Sequence, residues 1–339
     1  MKDLNKILFI LKKRNIYSNF TYSTVNSGLF NSATFVNEML QENGVNSTLV
    51  QVVDNNEIDK YCHQYKPDIV IIEALWVVPE KFEILQKLHP NIKWIIRLHS
   101  ELPFLANEGI AIEWLKKYIQ YRNVYIGCNS KFLINALEPL LKVRMIYLPN
   151  YYKVSNNYKD DKVIKGKDLI NIGLFGAIRP MKNSLTQAVA AVNYANQNGK
   201  TLNLHINSTR VEQKGEPVIK NIRALFEGSK HNLIEHEWLE HGEFVKLVSQ
   251  MDVCLQVSLT ETYNIVTADA VNVNVPVVTS SEVPFVNFLN RVSVEKDVQD
   301  IVEKIKSSLT FRIFYTFINK LLLRLDSSKA KDTWLKFTR

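Results

Sequence analysis

Cysteine is scarce in this chain: three residues, Cys62, Cys128 and Cys254, odd in number and far apart among 339. None belongs to a Cys-x-x-Cys pair or to a Cys/His set with ligand spacing. That argues against a disulfide scaffold or a zinc site and fits a reduced, cytoplasmic protein. Long hydrophobic runs are lacking too. The nearest to the roughly 20 apolar residues that cross a bilayer is FRIFYTFINKLLLRL, 311–325, interrupted by Arg312, Lys320 and Arg324. The opening MKDLNKILFILKKRN has a short apolar run but no small-residue cleavage site, so it reads as a first strand and not a signal peptide. There is no internal repeat and no low-complexity segment.

What is present is ordinary for a globular chain: 46% hydrophobic and 22% charged residues, at a length that suggests two domains. The net charge of +8 is unevenly placed. From Ile301 to Arg339 nine Lys/Arg stand against Glu303, Asp326 and Asp332, so six of the excess charges lie in that segment. A basic tail attracts phosphates, of nucleic acid or of anionic lipid. A solvated helix with lysines on its wet face would look the same.

Short β-branched runs alternate with helical periods. Strands are expected at 6–11, 47–53, 68–75, 93–99, 123–128 and 144–149, with helices at 32–43, 56–65, 79–88, 109–120 and 130–141, and Ser32 and Ser130 as N-caps. The polar stretch VSNNYKDDKVIKGKD, 154–168, reads as a linker. A second series follows, with strands at 169–176, 201–208, 232–238, 252–258 and 276–281. Its helices are expected at 186–199, 217–228, 241–251, about 263–273 and 297–309. Near-continuous apolar strands joined by helices predict parallel sheets covered on both faces. The expected architecture is α/β: two Rossmann-like doubly wound domains, 1–153 and 169–310, facing across a cleft, with a basic helical segment at 311–339 crossing back to the first. Ligands in such sheets bind beyond the C-terminal strand ends.

The most informative stretch is SLTETYNIVTADAVNVNVPVV, 258–278. Glu261 falls in a strand-to-helix turn at the ligand edge. Asn264 and Ile265 fall in the first helical turn, where unpaired amides and the helix dipole suit a phosphate. Asp269 lies eight residues beyond Glu261, roughly 12 Å at helical rise, about the reach of a nucleotide-sugar. A second stretch, LFGAIRPMKN at 174–183, places Gly176, Arg179, Lys182 and Asn183 after a strand, where cations can cradle a diphosphate.

These residues carry a resemblance. Ser-x-x-Glu, seven intervening residues, an acid followed by Ala, then Pro-Val-Val resembles the E-x7-E signature of retaining GT-B-fold glycosyltransferases. That family includes phosphatidylinositol mannosyltransferases and resembles glycogen synthases. The resemblance implies that Glu261 holds donor-sugar hydroxyls and Asp269 the ribose. The second acid is Asp here, and the family's glycines are replaced by Tyr263 or Asn264 and by Asn274. Gly176, Lys182 and Asn183 match the family's glycine and its Lys-Gly or Lys-Asn pair. Arg179 stands two positions after the family's Arg, whose place holds Ala177. In the first domain, Gly28 in NSGLFNSATFVNEMLQENGV resembles the family's loop after strand one, and LPN, 148–150, its last strand before the link. His99, closing RLHS, stands where the family often has a His near the reacting sugar. Glu73 ends a buried apolar strand, a costly place for an unpaired acid. It either binds or deprotonates an acceptor hydroxyl or pairs with an Arg or Lys. Trp76, Trp94, Trp114 and Trp238 read as core.

The implied activity is retaining transfer of a sugar from a nucleotide-diphosphate donor, with UDP the expected nucleotide. No Asp-x-Asp pair is present, so no metal and no cofactor is expected. The run from Ile71 to Phe104 is also similar to glycosyltransferases of tailed bacteriophages, some of which modify hydroxymethylated pyrimidines in DNA. That suggests double-stranded DNA as partner, bound mainly through phosphates, in the cytoplasm of a host bacterium. Two alternatives remain: a glycan or lipid acceptor at an anionic membrane, and a non-catalytic sugar-nucleotide or DNA-binding module.

Overall fold

The β-branched runs form the strands of two parallel sheets. The computed structural model describes residues 5–13, 16–18, 21–23, 28–155 and 168–339. Contacts divide the chain into Met1–Lys153 with Asp326–Arg339, and Val154–Leu325. Of the expected linker, 156–167 lie outside the described residues.

In the first unit β1 (Ile7–Lys12) leads to a short antiparallel hairpin, β2 (Ile16–Ser18) and β3 (Thr21–Ser23). Then come α1 (Gly28–Glu42), β4 (Ser47–Val52), α2 (Glu57–Tyr65), β5 (Ile69–Glu73), α3 (Lys81–Leu88) and β6 (Lys93–Leu98). The single-turn α4 (Leu102–Leu105), α5 (Ala111–Tyr118), β7 (Val124–Cys128), α6 (Lys131–Leu141) and β8 (Ile146–Tyr147) complete it. The six-stranded sheet has the order β4-β1-β5-β6-β7-β8, all parallel. Chain direction across the sheet reverses between β1 and β5, which opens a crevice at their C-terminal ends.

The second unit runs β9 (Leu169–Leu174), a 3-10 turn (Pro180–Lys182), α7 (Ser184–Gln197), β10 (Thr201–Asn207), α8 (Glu216–Phe226) and β11 (Asn232–His236). It continues with α9 (His241–Ser249), β12 (Val253–Gln256), α10 (Ile265–Asn272), β13 (Val277–Thr279), a 3-10 turn (Phe288–Asn290), α11 (Val298–Thr310) and α12 (Arg312–Phe337). The sheet order is β11-β10-β9-β12-β13, again parallel, with its reversal between β9 and β12. The boundary between the units falls within α12, after Leu325. Among the described residues no helix is long and apolar enough to cross a membrane.

Strand pleating explains the continuous apolar runs. Leu8, Ile10, Val70 and Ile72 pack with Phe82 and Trp94 on one face of the first sheet. Ile7, Phe9, Ile69 and Ile71 pack with Val36, Met39 and Leu40 on the other. Helices cover both faces, so no polar alternation survives in these strands. In the second sheet Ile170, Ile172, Leu202 and Leu204 pack in one cluster with Ala188, Ala191 and Ala195 of α7. Asn171, Asn203 and Asn232 align across β9, β10 and β11 and are joined by two 2.9 Å amide hydrogen bonds.

Several local expectations change. Ser130 caps α6, its Oγ accepting from the Leu133 amide at 3.3 Å. Ser32 does not cap α1, because the helix starts four residues earlier, at Gly28. All three cysteines are buried, and burial pushes the Cys62 and Cys128 thiols up to about 12.

Trp334, near the end of α12, closes the second face of the first sheet. It is fully buried, 5.8 Å from the Phe9 ring, and its Nε1 donates to the Pro149 carbonyl at 2.7 Å. Trp334→Ala removes this packing and the hydrogen bond, and should cost about 3–5 kcal/mol. A denaturation midpoint equal to that of the wild type would contradict this placement.

Candidate active site

The strand reversal between β9 and β12 puts two loops side by side, and Arg179, Lys182 and Glu261 lie on them. After β9 the chain turns at Gly176, whose φ of +118° is open to glycine and strained for other residues. Its amide donates to Asn207 Oδ1 at 3.0 Å. The loop passes Arg179 and the 3-10 turn to Lys182, and Asn183 enters α7 at φ +55°. Asn183 Nδ2 donates to the carbonyls of Val257 (3.2 Å) and Glu295 (2.8 Å). Gln187 bridges the loops, donating to the Lys182 carbonyl and accepting from the Val257 amide, each at 2.8 Å. The Leu259 amide donates to the Met181 carbonyl at 2.9 Å. The two loops are therefore one hydrogen-bonded unit.

Across this seam Lys182 Nζ and Glu261 Oε1 form an ion pair, with side chains 16% and 9% exposed. Burial pushes the Glu261 carboxyl up, but Lys182, with Arg179 and Ser258, more than offsets this and holds it below the usual carboxylate range. Asn264 Nδ2 donates to Glu261 Oε1 (3.1 Å) and to Gln256 Oε1 (2.9 Å), while its Oδ1 accepts from the Thr267 amide at 2.9 Å. Asn264 thus caps α10 and orients Glu261; its side chain is spent inside the protein. The amides of Ile265 and Val266 open α10 ahead of that cap and lie in the turn that lacks intrahelical acceptors. Asn264 and Asn274 have φ of +70° and +59°. Asparagine tolerates this left-handed region better than other non-glycine residues, so the turns survive where the resembling family has glycine.

Asp269 departs from expectation. It is 1% exposed, and its Oδ1 meets His241 Nε2 at 2.8 Å, while His241 at the start of α9 is 26% exposed. The outward group of this pair is the imidazole, and the Asp269 carboxylate lies behind it. Burial pushes His241 down, and the hydrogen bond and charge of Asp269 more than reverse this, leaving its pKa above the ordinary value.

Two further groups escaped the sequence reading. Arg210 Nε donates to Glu212 Oε1 at 2.8 Å, and its guanidinium lies 4.6 Å from the Trp238 ring centre. Arg179 Nη1 is 3.9 Å from Glu212 Oε2. Trp238 is half-buried beneath this arginine rather than part of the core. Tryptophan is usually a core residue, and the nearby STR at 208–210 has no periodicity that would mark an arginine contact.

In the first unit, Glu73 ends β5 beside the β1/β5 crevice and is fully buried. Arg97 Nη1 donates to its Oε1 and Oε2 at 3.0 and 3.3 Å, and His99 Nε2 meets Oε2. Arg97 also donates to the carbonyls of Leu148 (3.0 Å) and Pro149 (3.1 Å) and to Asn150 Oδ1 (2.7 Å). Burial pushes the Glu73 carboxyl up, but Arg97 and His99 hold it low. Glu73 is thus the buried partner of Arg97 and has no surface for an acceptor. His99 is mostly buried; burial and Arg97 lower its pKa against the pull of Glu73. Gly28 is the first residue of α1, its φ is not left-handed, and an added Cβ there would meet no protein atom within 4 Å.

Away from these residues, Asp59 and His63 on α2 and His89 after α3 have ligand atoms within 4.8 Å of one another. Asp59 Oδ1 and His89 Nε2 hydrogen-bond directly at 2.7 Å, which makes them an ordinary tie between helices.

Glu73→Gln leaves the Arg97 guanidinium buried without a counter-charge and should cost about 3–5 kcal/mol in denaturation experiments; unchanged stability would contradict the pairing. His241 carries a pH signature. A histidine with a raised folded pKa contributes stability that is full below its ordinary value near 6.5 and is lost as pH rises through the folded pKa. The stability advantage of the wild type over Asp269→Asn should therefore shrink as pH climbs above that range. An NMR titration placing His241 below the ordinary value would contradict it.

No family model and no curated protein matches this sequence. Its fold has relatives among solved structures. Sucrose-phosphate synthase (tll1590) of Thermosynechococcus elongatus aligns over 98% of both chains at TM-score 0.67 and 13% identity. Anabaena Alr3699/HepE, solved with UDP and glucose, aligns over 98% of this chain and 99% of its own at TM-score 0.67 and 11% identity. A UDP-forming α,α-trehalose-phosphate synthase of Burkholderia xenovorans aligns over 83% and 77%, at TM-score 0.61 and 13% identity. At such identities the likeness speaks to architecture: two parallel-sheet α/β units, of six and five strands, in the fold of the GT-B glycosyltransferases.

Proposed function

We propose that the chain is a retaining glycosyltransferase that moves a sugar from a nucleoside-diphosphate sugar, with UDP as nucleotide, to an acceptor hydroxyl. The observation that carries this reading is the Lys182–Glu261 pair at the β9/β12 reversal, fixed by Asn264 at the N-terminus of α10. Lys182 holds the Glu261 carboxylate ionised and aimed, while burial, with the charges of Arg179 and Arg210, pulls the Lys182 pKa below its ordinary value. A donor exchanges that pairing for phosphate oxygens on Lys182 and sugar hydroxyls on Glu261. As the bond from the anomeric carbon to the diphosphate breaks, the electron pair leaves on the diphosphate, the acceptor oxygen bonds to the same carbon on the same face, and the acceptor's proton passes to the departing diphosphate oxygen. Lys182, Arg179 and the α10 amides stabilise that charge. These fixed cations and dipoles do the work without a metal or a cofactor. The pentose end falls to His241, oriented by Asp269. The relatives in fold that carry UDP in their names or complexes support the same donor class.

The acceptor reading favoured by the phage resemblance is a hydroxymethylated pyrimidine in double-stranded DNA, within a host bacterium's cytoplasm. A lipid or glycan acceptor at an anionic membrane is the second reading, favoured by the exposed Ile313, Phe314 and Phe317 on basic helix α12.

The test is donor turnover across a panel of nucleotide-sugars, followed by mass spectrometry of hydroxymethylated DNA. Glu261→Ala should abolish turnover. Lys182→Ala should lower it by about 100- to 1,000-fold, the usual scale for losing one charge-stabilising group. Wild-type protein that binds donors but turns over none would make the chain a non-catalytic binding module. Sugar appearing on lipid and never on DNA would remove the DNA reading.

A further inference from the structure

Helix α12 is apolar on two opposite faces, and only one of them is covered. Tyr315, Asn319 and Leu323, four residues apart, point inward and are buried. Ile313, Phe314, Phe317, Leu321 and Leu325 follow the helical repeat along the other side and are 46–86% exposed. Phe288, 74% exposed, lies in the 3-10 turn whose neighbours contact α12. A helix apolar all round is ordinarily buried, and an exposed apolar patch of this length marks an interaction site.

The helix cannot roll to hide the stripe. Asn319 Oδ1 accepts from the Asn287 amide at 2.8 Å and its Nδ2 donates to Asn290 Oδ1 at 3.2 Å, both buried. Lys320 Nζ donates to the Asn272 carbonyl at 2.9 Å and to Asn274 Oδ1 at 3.2 Å. Polar bonds on the inward side and its edge thus fix which side faces out.

We infer that this outer face of α12 docks on an anionic phospholipid surface. Charge decides among the occupants. The helix carries Arg312, Lys320, Arg324, Lys329, Lys331 and Lys336 against Asp326 and Asp332. Apolar and aromatic residues on a helix with this density of Lys/Arg fit an anionic bilayer interface. A second copy of the chain would bring the same positive charges together. Duplex DNA is gripped through its phosphates by basic and polar groups and leaves five large apolar side chains unused. The inference rests on α12 alone and stands or falls separately from sugar transfer.

The full chain should co-sediment with vesicles of mixed phosphatidylcholine and phosphatidylglycerol, and much less with phosphatidylcholine alone or at high salt. Phe314→Ser with Phe317→Ser should weaken vesicle binding by about tenfold or more while leaving the melting temperature and donor turnover unchanged, since both side chains are exposed. Lys329→Glu with Lys331→Glu should weaken it only on charged vesicles. Equal binding by wild type and the Phe double variant, or no binding by either, overturns the inference. So does a dimer in light scattering that the Phe double variant dissolves, or DNA retention that it abolishes.

Discussion

A lysine and a glutamate from neighbouring strand ends are held in contact where a parallel sheet reverses its direction of winding, and the rest of the candidate site depends on that contact. Alone, either charge would be expensive in so enclosed a place. Together, with Asn264 adding a hydrogen bond to the carboxylate, they are tolerable and oriented. The supports all reach the backbone: the Leu259 amide on the Met181 carbonyl, the Asn183 side chain on Val257, and the Gln187 side chain on both loops. Such a site is set by the strands and does not rely on long loops, which suits chemistry that needs charges fixed in advance.

The first unit solves a related problem differently. Glu73 and Arg97 are both fully buried at strand ends, and Arg97 spends its other donors on Leu148, Pro149 and Asn150, the segment in which this unit's sheet ends. The guanidinium also lies 5.2 Å from the ring of Trp334. One ion pair thereby ties β5, β6, the chain after β8 and the end of α12 into a single arrangement. His99 inherits its orientation from this network through Glu73.

Much of the architecture was legible in the sequence, for a physical reason. Buried parallel strands are short apolar runs, and ILFIL, IVII and WII could hardly be anything else once helical periods separated them. The single-turn α4 and the β2–β3 hairpin were not legible, because four- and three-residue elements carry no periodicity. Ser32 misled because a good capping residue four positions inside a helix looks like its start. Within the site, Lys182, Glu261 and Asn264 were readable from spacing, and the structure brings them together. Asp269 was readable as a position but not as a buried acid, since nothing in TADAV announces that His241, 28 residues earlier, will cover it. Arg210 with Trp238 is a pair between separate loops, which one-dimensional patterns do not disclose; for Glu73 a buried Arg or Lys partner was legible, but not that it is Arg97. The double-faced apolar character of α12 was partly visible in FRIFYTFINKLLLRL, but which face lies outward is set by Asn319 and Lys320 finding partners elsewhere in the fold.

The central claim is that Lys182 and Glu261 are poised to part around a donor, one taking phosphate and the other sugar. A crystal structure of the chain soaked with a hydrolysis-resistant nucleotide-diphosphate sugar tests it most directly. The account predicts a phosphate oxygen within hydrogen-bond reach of Lys182 Nζ and a hexose hydroxyl on the Glu261 carboxylate. A donor bound elsewhere while Lys182 and Glu261 remain joined would contradict it.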